Sequence, residues 1–482
     1  MNYSVVIYIL GWIMEIEAAF LALPGIVSAI YGEKGGFAFL WVALGSAVAG
    51  SAIILRKPKN MRFYLREGFV TVALSWILMS VIGCLPFIIN GDIPHFADAL
   101  FEMISGFTTT GATVVSDVEG LTKGSLFWRS FSHWIGGMGV LVFLLAIVPM
   151  AGGSHMNLMK AESPGPSVGK LVPKVRQTAK YLYIIYFALT VIEVIFLLFG
   201  RMNLFDALTT AFGTAGTGGF AIWNDGFVSV SPYNQWVVTI FMLLFGVNFG
   251  FYFLILTGKL RDALKFEEVR IYFIIVIASA IFIFINLRNF ALYAPADGVR
   301  HAFFQVASII TTTGFASTNF DLWPETSRTI LVILMFVGAC AGSTGGGIKV
   351  SRFIIAIKSF IKEIISYLHP RSVKKIKVEG KPLEHETLRA TNVYFMTYMV
   401  IFAVSVLLVS IENKDLVTNF TAVAATFNNI GPGLSMVGPM ENFGHFTDFT
   451  KYILMFDMLA GRLEIFPMLL VFCPAVWKRR RA

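Results

Sequence analysis

Charge is what this sequence has least of. Only 14% of its residues are Asp, Glu, Lys or Arg, where soluble domains carry about 25%. With 56% of its 482 residues hydrophobic, the chain cannot cover its surface with polar groups, which excludes a soluble enzyme. The same content excludes a disordered chain. Cysteine is equally scarce. Cys84, Cys340 and Cys473 stand singly inside apolar runs and read as small core residues, not as a disulfide framework or a thiolate site. The seven histidines have no HxxxH or Cys/His spacing, so metal ligation by these side chains is disfavoured. No set of nucleophile, base and orienting group can be read, so catalysis is disfavoured too.

What is abundant is apolar length and glycine, of which there are 43. Stretches near the ~20 residues that cross a bilayer recur along the whole chain. Residues 69–89 and 236–256 contain no formal charge. The first stretch, at about 3–30, holds Glu15 and Glu17 and has no basic lead or small-residue cleavage site. It reads as a retained helix, not a signal peptide. The expected fold class is an all-α polytopic membrane protein with about ten transmembrane helices.

The net charge of +9 is unevenly placed. Of 38 Lys and Arg, 28 fall in five short segments at 56–66, 160–180, 259–270, 349–389 and 478–481. The positive-inside rule makes these cytoplasmic, with both termini inside, and a basic surface for nucleic acid is disfavoured. Arg462 alone lies within a span. Glu15, Glu17, Glu193 and Asp457 are also intramembrane, and an inter-helix hydrogen bond or a functional role suits each.

Four semi-polar stretches on the outer side are too long for turns and too short to cross. They read DALFEMISGFTTTGAT (98–113), DALTTAFGTAGTGGFA (206–221), HAFFQVASIITTTGFA (301–316) and TNFTAVAATFNNIGPG (418–433). Aligned without gaps, they superpose Gly111, Gly219, Gly314 and Gly431. Ser105, Gly213, Ser308 and Ala425 share a second position. Each unit is expected to be helix, half-helix, loop, helix, with its loop lining a protein cavity.

Such loops suit a cation filter. An ion leaving water needs oxygen ligands, which rings of backbone carbonyls supply. Aligning consecutive carbonyls needs angles that only Gly takes cheaply, and the half-helix aims its negative end at the same point. The expected ligands are carbonyls of Thr109, Thr110, Thr217, Gly218, Thr312, Thr313, Asn429 and Ile430, beside the four glycines. The threonine side chains are expected to keep the path polar and narrow. No carboxylate lies in the loops, so dipoles would set selectivity.

At this point the chain resembles the Trk/Ktr/HKT superfamily of potassium transporters, and within it the TrkH type. The motifs that carry the likeness are the four loops, HWIGGMGV (133–140), GSTGGGIK (342–349) and GRLEIFP (461–467). It covers the chain from about residue 66 onward, and the leading helix pair fits the TrkH type. The resemblance implies potassium uptake across a bacterial inner (plasma) membrane by a pseudo-fourfold pore in one chain. It also implies a homodimer and a cytosolic nucleotide-binding regulatory subunit of the TrkA type. The expected organisation is a helix pair at 1–66, pore repeats at 67–150, 178–258, 269–367 and 389–482, and cytoplasmic loops at 151–177 and 368–388. The second and fourth loops, GTGG and NNIG, depart from the family pattern. The competing reading is a sodium- or proton-coupled transporter of a small solute, which would place half-helix N-termini at its site in two inverted halves.

The third repeat adds a gate. Gly338, Gly342, Ser343, Thr344, Gly345, Gly346 and Gly347 interrupt its second helix, and each Gly costs about 1 kcal/mol relative to Ala in a helix. A loop at 338–348 is therefore expected in the pore, with Lys349, Arg352, Lys358 and Lys362 on a cytoplasmic extension where a partner could pull. GSTGGGIK lacks the Gly-Lys-[Ser/Thr] ending of a phosphate loop. Arg462 costs at least roughly 2.5–3.5 kcal/mol to insert at a helix centre, so it is expected to face water near the filter, or to pair with Asp457.

Overall fold

The structure, a computed structural model, describes residues 1–59, 64–137, 139, 175–369 and 375–477. In hydrocarbon every backbone N–H and C=O must be paired within the protein, so apolar runs form long helices. The first two, α1 (Tyr3–Ile30) and α2 (Gly36–Ile54), pack as a hairpin. Ser46 donates to the Met14 carbonyl across it at 2.9 Å.

Thereafter one pattern recurs four times. The first unit is α3 (Leu65–Asn90), α4 (Phe96–Phe107) and α5 (Lys123–Gly137). The second is α6 (Val175–Phe199), α7 (Leu204–Gly216), α8 (Pro232–Phe245) and α9 (Phe249–Leu256). The third is α10 (Glu267–Asn289), α11 (Pro295–Ile310), α12 (Glu325–Val337) and α13 (Val350–Leu368). The fourth is α14 (His385–Val409), α15 (Leu416–Phe427), α16 (Asp448–Arg462) and α17 (Phe466–Val471). A two-stranded antiparallel ribbon, Lys377–Val378 against Lys381–Pro382, precedes α14. The half-helices α4, α7, α11 and α15 start where the sequence signals it. Asn203 accepts from the Asp206 N–H at 2.9 Å, Asp415 from that of Thr418 at 2.9 Å, and Pro295 opens α11. Side-chain caps of this kind satisfy the free N–H groups of a first turn.

The units pack in succession. α5 lies against α7, α8 against α11, α12 against α15, and α16 back against α4. Each second helix thus touches the half-helix of the next unit, and the last returns to the first.

Six helices are uninterrupted and apolar enough to cross a membrane among the described residues, or seven with α8 and α9 counted together. Three of the remaining expected crossings are second helices that break. Residues 236–256, read as one run, are instead bent by 88° between α8 and α9. α12 and α13 are parted by residues 338–349, and α16 and α17 by residues 463–465. In α5 the helix ends at Gly137, and the rest of HWIGGMGV lies outside the described residues apart from Gly139. So do most of the expected cytoplasmic loop at 151–177, Arg371, Lys374 and the basic residues 478–481.

Candidate ion pathway

The four half-helices end identically. The N–H of Thr110 bonds to the Ser105 carbonyl at 2.9 Å, Gly218 to Gly213 at 2.9 Å, Thr313 to Ser308 at 2.8 Å and Ile430 to Ala425 at 2.8 Å. One residue earlier, Thr109 bonds to Gly106, Thr217 to Thr214, Thr312 to Ile309 and Asn429 to Thr426, at 3.0–3.2 Å. These paired bonds are the Schellman cap, which needs a left-handed residue after the helix. That residue is Thr109 (φ 55°), Thr217 (54°), Thr312 (59°) and Asn429 (55°). The glycine two places on is left-handed as well, at 77°, 82°, 84° and 101° for Gly111, Gly219, Gly314 and Gly431. The residue between is not. A backbone that alternates hand in this way can present successive carbonyls to one side.

The loops interlock. A side chain on Gly111 would strike the Gly218 carbonyl oxygen, one on Gly219 that of Thr313, and one on Gly314 that of Ile430. On Gly431 it would come within 2.8 Å of the Thr110 oxygen. Each glycine makes room for the middle carbonyl of another loop, and the sequence of contacts closes on itself. All four glycines line a single open mouth of about 770 Å³, including the solvent it opens on. At its rim Asn224 donates to Asp117 at 2.9 Å and holds that carboxyl below the usual carboxylate range. The sequence register therefore identified four loops that the fold brings together. It missed the left-handed threonines, because Thr carries no outward sign of that conformation.

The threonine hydroxyls brace the loops. Thr110 pairs with Thr108 at 2.8 Å and Thr313 with Thr311 at 2.7 Å. Thr217 donates to the Gly216 carbonyl at 2.6 Å, and Asn429 donates to Thr110 and to the Met458 carbonyl, both at 2.9 Å. His133 joins the first half-helix to the second loop. Its Nε2 accepts the Phe220 N–H at 3.1 Å and its Nδ1 faces the Gly106 carbonyl at 2.7 Å. The first bond requires an unprotonated Nε2, so the ring is neutral and Nδ1 carries the hydrogen.

Glu102 and Arg129 carry no motif that marks them in the sequence. Both are buried, at 0% and 1% exposure. Arg129 donates to Glu102 through Nε at 2.8 Å and through a terminal nitrogen at 2.7 Å. Glu102 also accepts from the Thr113 hydroxyl at 3.0 Å and the Val114 N–H at 3.1 Å.

Residues 338–349 lie directly against loops three and four. The Gly346 N–H donates to the Thr312 hydroxyl at 2.5 Å, and a side chain on Gly346 would meet Asn429 Cβ at 3.0 Å. Gly338, Gly342 and Gly347 are left-handed. The segment also pairs the backbone that the α8–α9 break sets free. Cys340 N–H bonds to Gly246 O at 3.1 Å, Phe249 N–H to Gly342 O at 3.0 Å, and the Thr344 hydroxyl to Phe245 O at 3.3 Å. One carboxylate oxygen of Glu268 accepts the N–H of Ala341 at 2.7 Å and of Ser351 at 3.0 Å, which clips both ends of the segment to α10.

Two basic residues expected on a free extension are buried. Lys349 donates to the Gly345 carbonyl, and Arg352 pairs with Glu464 and stacks 3.8 Å from the Tyr394 ring. Neither charge could stay free at that depth without a partner. Lys358 pairs with Glu267 at 2.5 Å, and Lys362 is half-exposed. Arg462 is half-buried and donates to Thr344 O at 2.9 Å, to Gly137 O at 3.2 Å and to Gly136 O. It thereby ties the segment to the end of α5. The expected alternative partner, Asp457, accepts from Ser405 at 2.7 Å. Of the other intramembrane acids, Glu15 accepts from Ser51 at 2.6 Å, while Glu17 and Glu193 are fully buried.

Comparison with known proteins gives a consistent result. The family described as TrkH, cation transport protein, matches residues 37–479. The potassium uptake protein TrkH of the Trk system from Escherichia coli (strain K12) is 36% identical, over 99% of this chain and 100% of that one. TrkG of the same organism is 31% identical over 99% of each. The crystal structure of the potassium transporter TrkH from Vibrio parahaemolyticus superposes with a TM-score of 0.88 at 32% identity, covering 99% of this chain and 100% of that one.

Proposed function

The chain belongs to the TrkH family of cation transport proteins, an integral membrane transport family and not an enzyme family, and on that premise we propose that it takes up potassium across the bacterial inner membrane. In this reading the units at 67–150, 178–258, 269–367 and 389–482 are four pore repeats arranged pseudo-fourfold around one path. The potassium ion is the cargo. It sheds water at the outer mouth and is held by carbonyls of Thr109, Thr110, Thr217, Gly218, Thr312, Thr313, Asn429, Ile430 and the adjoining glycines. Oxygen dipoles at fixed spacing replace the hydration shell, and the C-terminal ends of four half-helices add negative potential at the same place.

Below the carbonyls, the charge of Arg462 weakens cation occupancy and helps the ion leave. The segment 338–348 blocks the cytoplasmic side while it is held in place. Release comes through α13, whose far end exposes Phe360, Tyr367 and Leu368 to a cytosolic nucleotide-binding subunit of the TrkA type. Both termini are cytoplasmic, and two copies associate as a homodimer. The observation that carries the reading is the shared left-handed geometry of four loops whose glycines each accommodate another loop's carbonyl. The test is tracer flux into liposomes holding the purified chain, with K⁺, Rb⁺, Na⁺ and Cs⁺ compared. Uptake of K⁺ and Rb⁺ well above Na⁺ supports the reading, and equal flux of all four overturns it.

A further inference from the structure

We infer that the Glu102–Arg129 pair is a selectivity-setting brace, which holds the first two loops at the spacing that accepts potassium and refuses sodium. The inference rests on the filter reading above and adds residues that lie behind the carbonyls, not among them.

The placement is specific. Glu102 stands nine residues before Gly111 on α4. Its carboxylate takes four donors: Nε and a terminal nitrogen of Arg129, the Thr113 hydroxyl and the Val114 N–H. Thr113 and Val114 directly follow Gly111 and its neighbour in the first loop. Arg129, on α5, extends the brace sideways. It donates to the Thr113 hydroxyl at 3.3 Å and to the Ala221 carbonyl at 3.4 Å, and its guanidinium lies 4.1 Å from the Phe220 ring. Phe220 and Ala221 directly follow Gly219. One ion pair therefore grips the exits of two adjacent loops.

The third repeat places a neutral brace at the same position. The residue nine places before each glycine is Glu102, Thr210, Gln305 and Ala422. Gln305 also reaches forward to its own exit, donating to Ser317 at 3.4 Å, but without a charge. Only the first repeat uses an ionised brace among the described residues. Charged hydrogen bonds are shorter and stiffer than neutral ones, and the planar guanidinium fixes both distance and angle. Stiffness matters because sodium is smaller than potassium. Carbonyls ligate it well only if they close in, and a brace behind two of four loops resists that closure. A net-neutral pair adds little field at the ion, so its effect is on discrimination and not on the sign of the permeant charge.

The experiment is K⁺ and Na⁺ tracer flux in liposomes, with thermal unfolding of each variant recorded in parallel. Glu102→Gln keeps the shape that Gln305 shows to be tolerated at this register. Arg129→Lys keeps the charge but loses the fork and the ring stack. Both are expected to lower the K⁺/Na⁺ ratio about tenfold, since a misplacement of about 1 Å in a positioned group costs up to ~100-fold. Asp98→Asn, on the same half-helix as Glu102, breaks a separate ion pair with Lys451 of α16 and is expected to leave the ratio at the wild-type value. An unchanged ratio in folded Glu102→Gln and Arg129→Lys overturns the inference, as does an equal fall in Asp98→Asn. Gly314→Ser separates the two readings. If it loses discrimination while the pair variants keep it, only the brace fails; if it too keeps discrimination, the filter reading fails.

Discussion

Gly111 carries two constraints at once. Its φ of 77° costs an L side chain about 1–2 kcal/mol, and the space a Cβ would need is filled by the Gly218 carbonyl oxygen. Gly111→Ser is therefore expected to push that carbonyl out of the ring, raising Na⁺ flux relative to K⁺, and competition of Na⁺ with K⁺ tracer uptake reads the change. Arg462 makes a second residue-scale prediction. Arg462→Ala removes a positive charge beneath the proposed filter together with its bonds to Thr344 and Gly137. Tighter K⁺ retention and altered flux are expected, and unaltered K⁺ affinity and flux would leave Arg462 a purely structural role. At this scale the sequence was half legible. Four glycines in register are visible by eye, because no other residue serves there. The left-handed Thr109, Thr217 and Thr312 are not, since Thr adopts that conformation only where a helix cap and a packed surround impose it.

The element that most repays attention is the segment between α12 and α13. Its glycines suggest a break, and the helix is interrupted between Val337 and Val350. What they could not announce is how the segment is held, because its partners come from α8, α10, α16 and the third loop, elsewhere in the sequence. The bend at Gly246 was missed for the same reason. One glycine in an apolar run is an ordinary helix residue until another segment supplies hydrogen bonds to the carbonyls of Phe245 and Gly246. Glu268 holds both ends through a single oxygen, and hydrogen bonds to a charged group are worth about 1.5–3 kcal/mol. Glu268→Ala is thus expected to loosen the segment and raise basal K⁺ flux, as is deletion of part of residues 342–347. Both effects are read in liposomes without a regulatory subunit, and reduced or unchanged flux in both well-folded variants would speak against a gate.

For the whole molecule, composition alone separated a membrane protein from a soluble one, and the clustering of Lys and Arg gave an expected orientation. It could not give the closed succession of packing from α5 on α7 round to α16 on α4, which depends on shape. The proposed homodimer is checked by cross-linking of the detergent-solubilised chain, with a band at twice the 53.3 kDa chain mass expected and a monomer alone counting against it. The closed succession also bears on how such a protein changes over generations. A ring assembled from four identical subunits alters all four corners with every codon change. Here each corner has its own codons, so one substitution alters one corner and the neighbouring carbonyl it touches, not all four corners at once. Corner four, with Asn428, Asn429 and Ile430 where corners one and three have threonines, differs from them in this way. Ion preference in this chain can therefore drift by small steps under selection, where a homotetramer must leap.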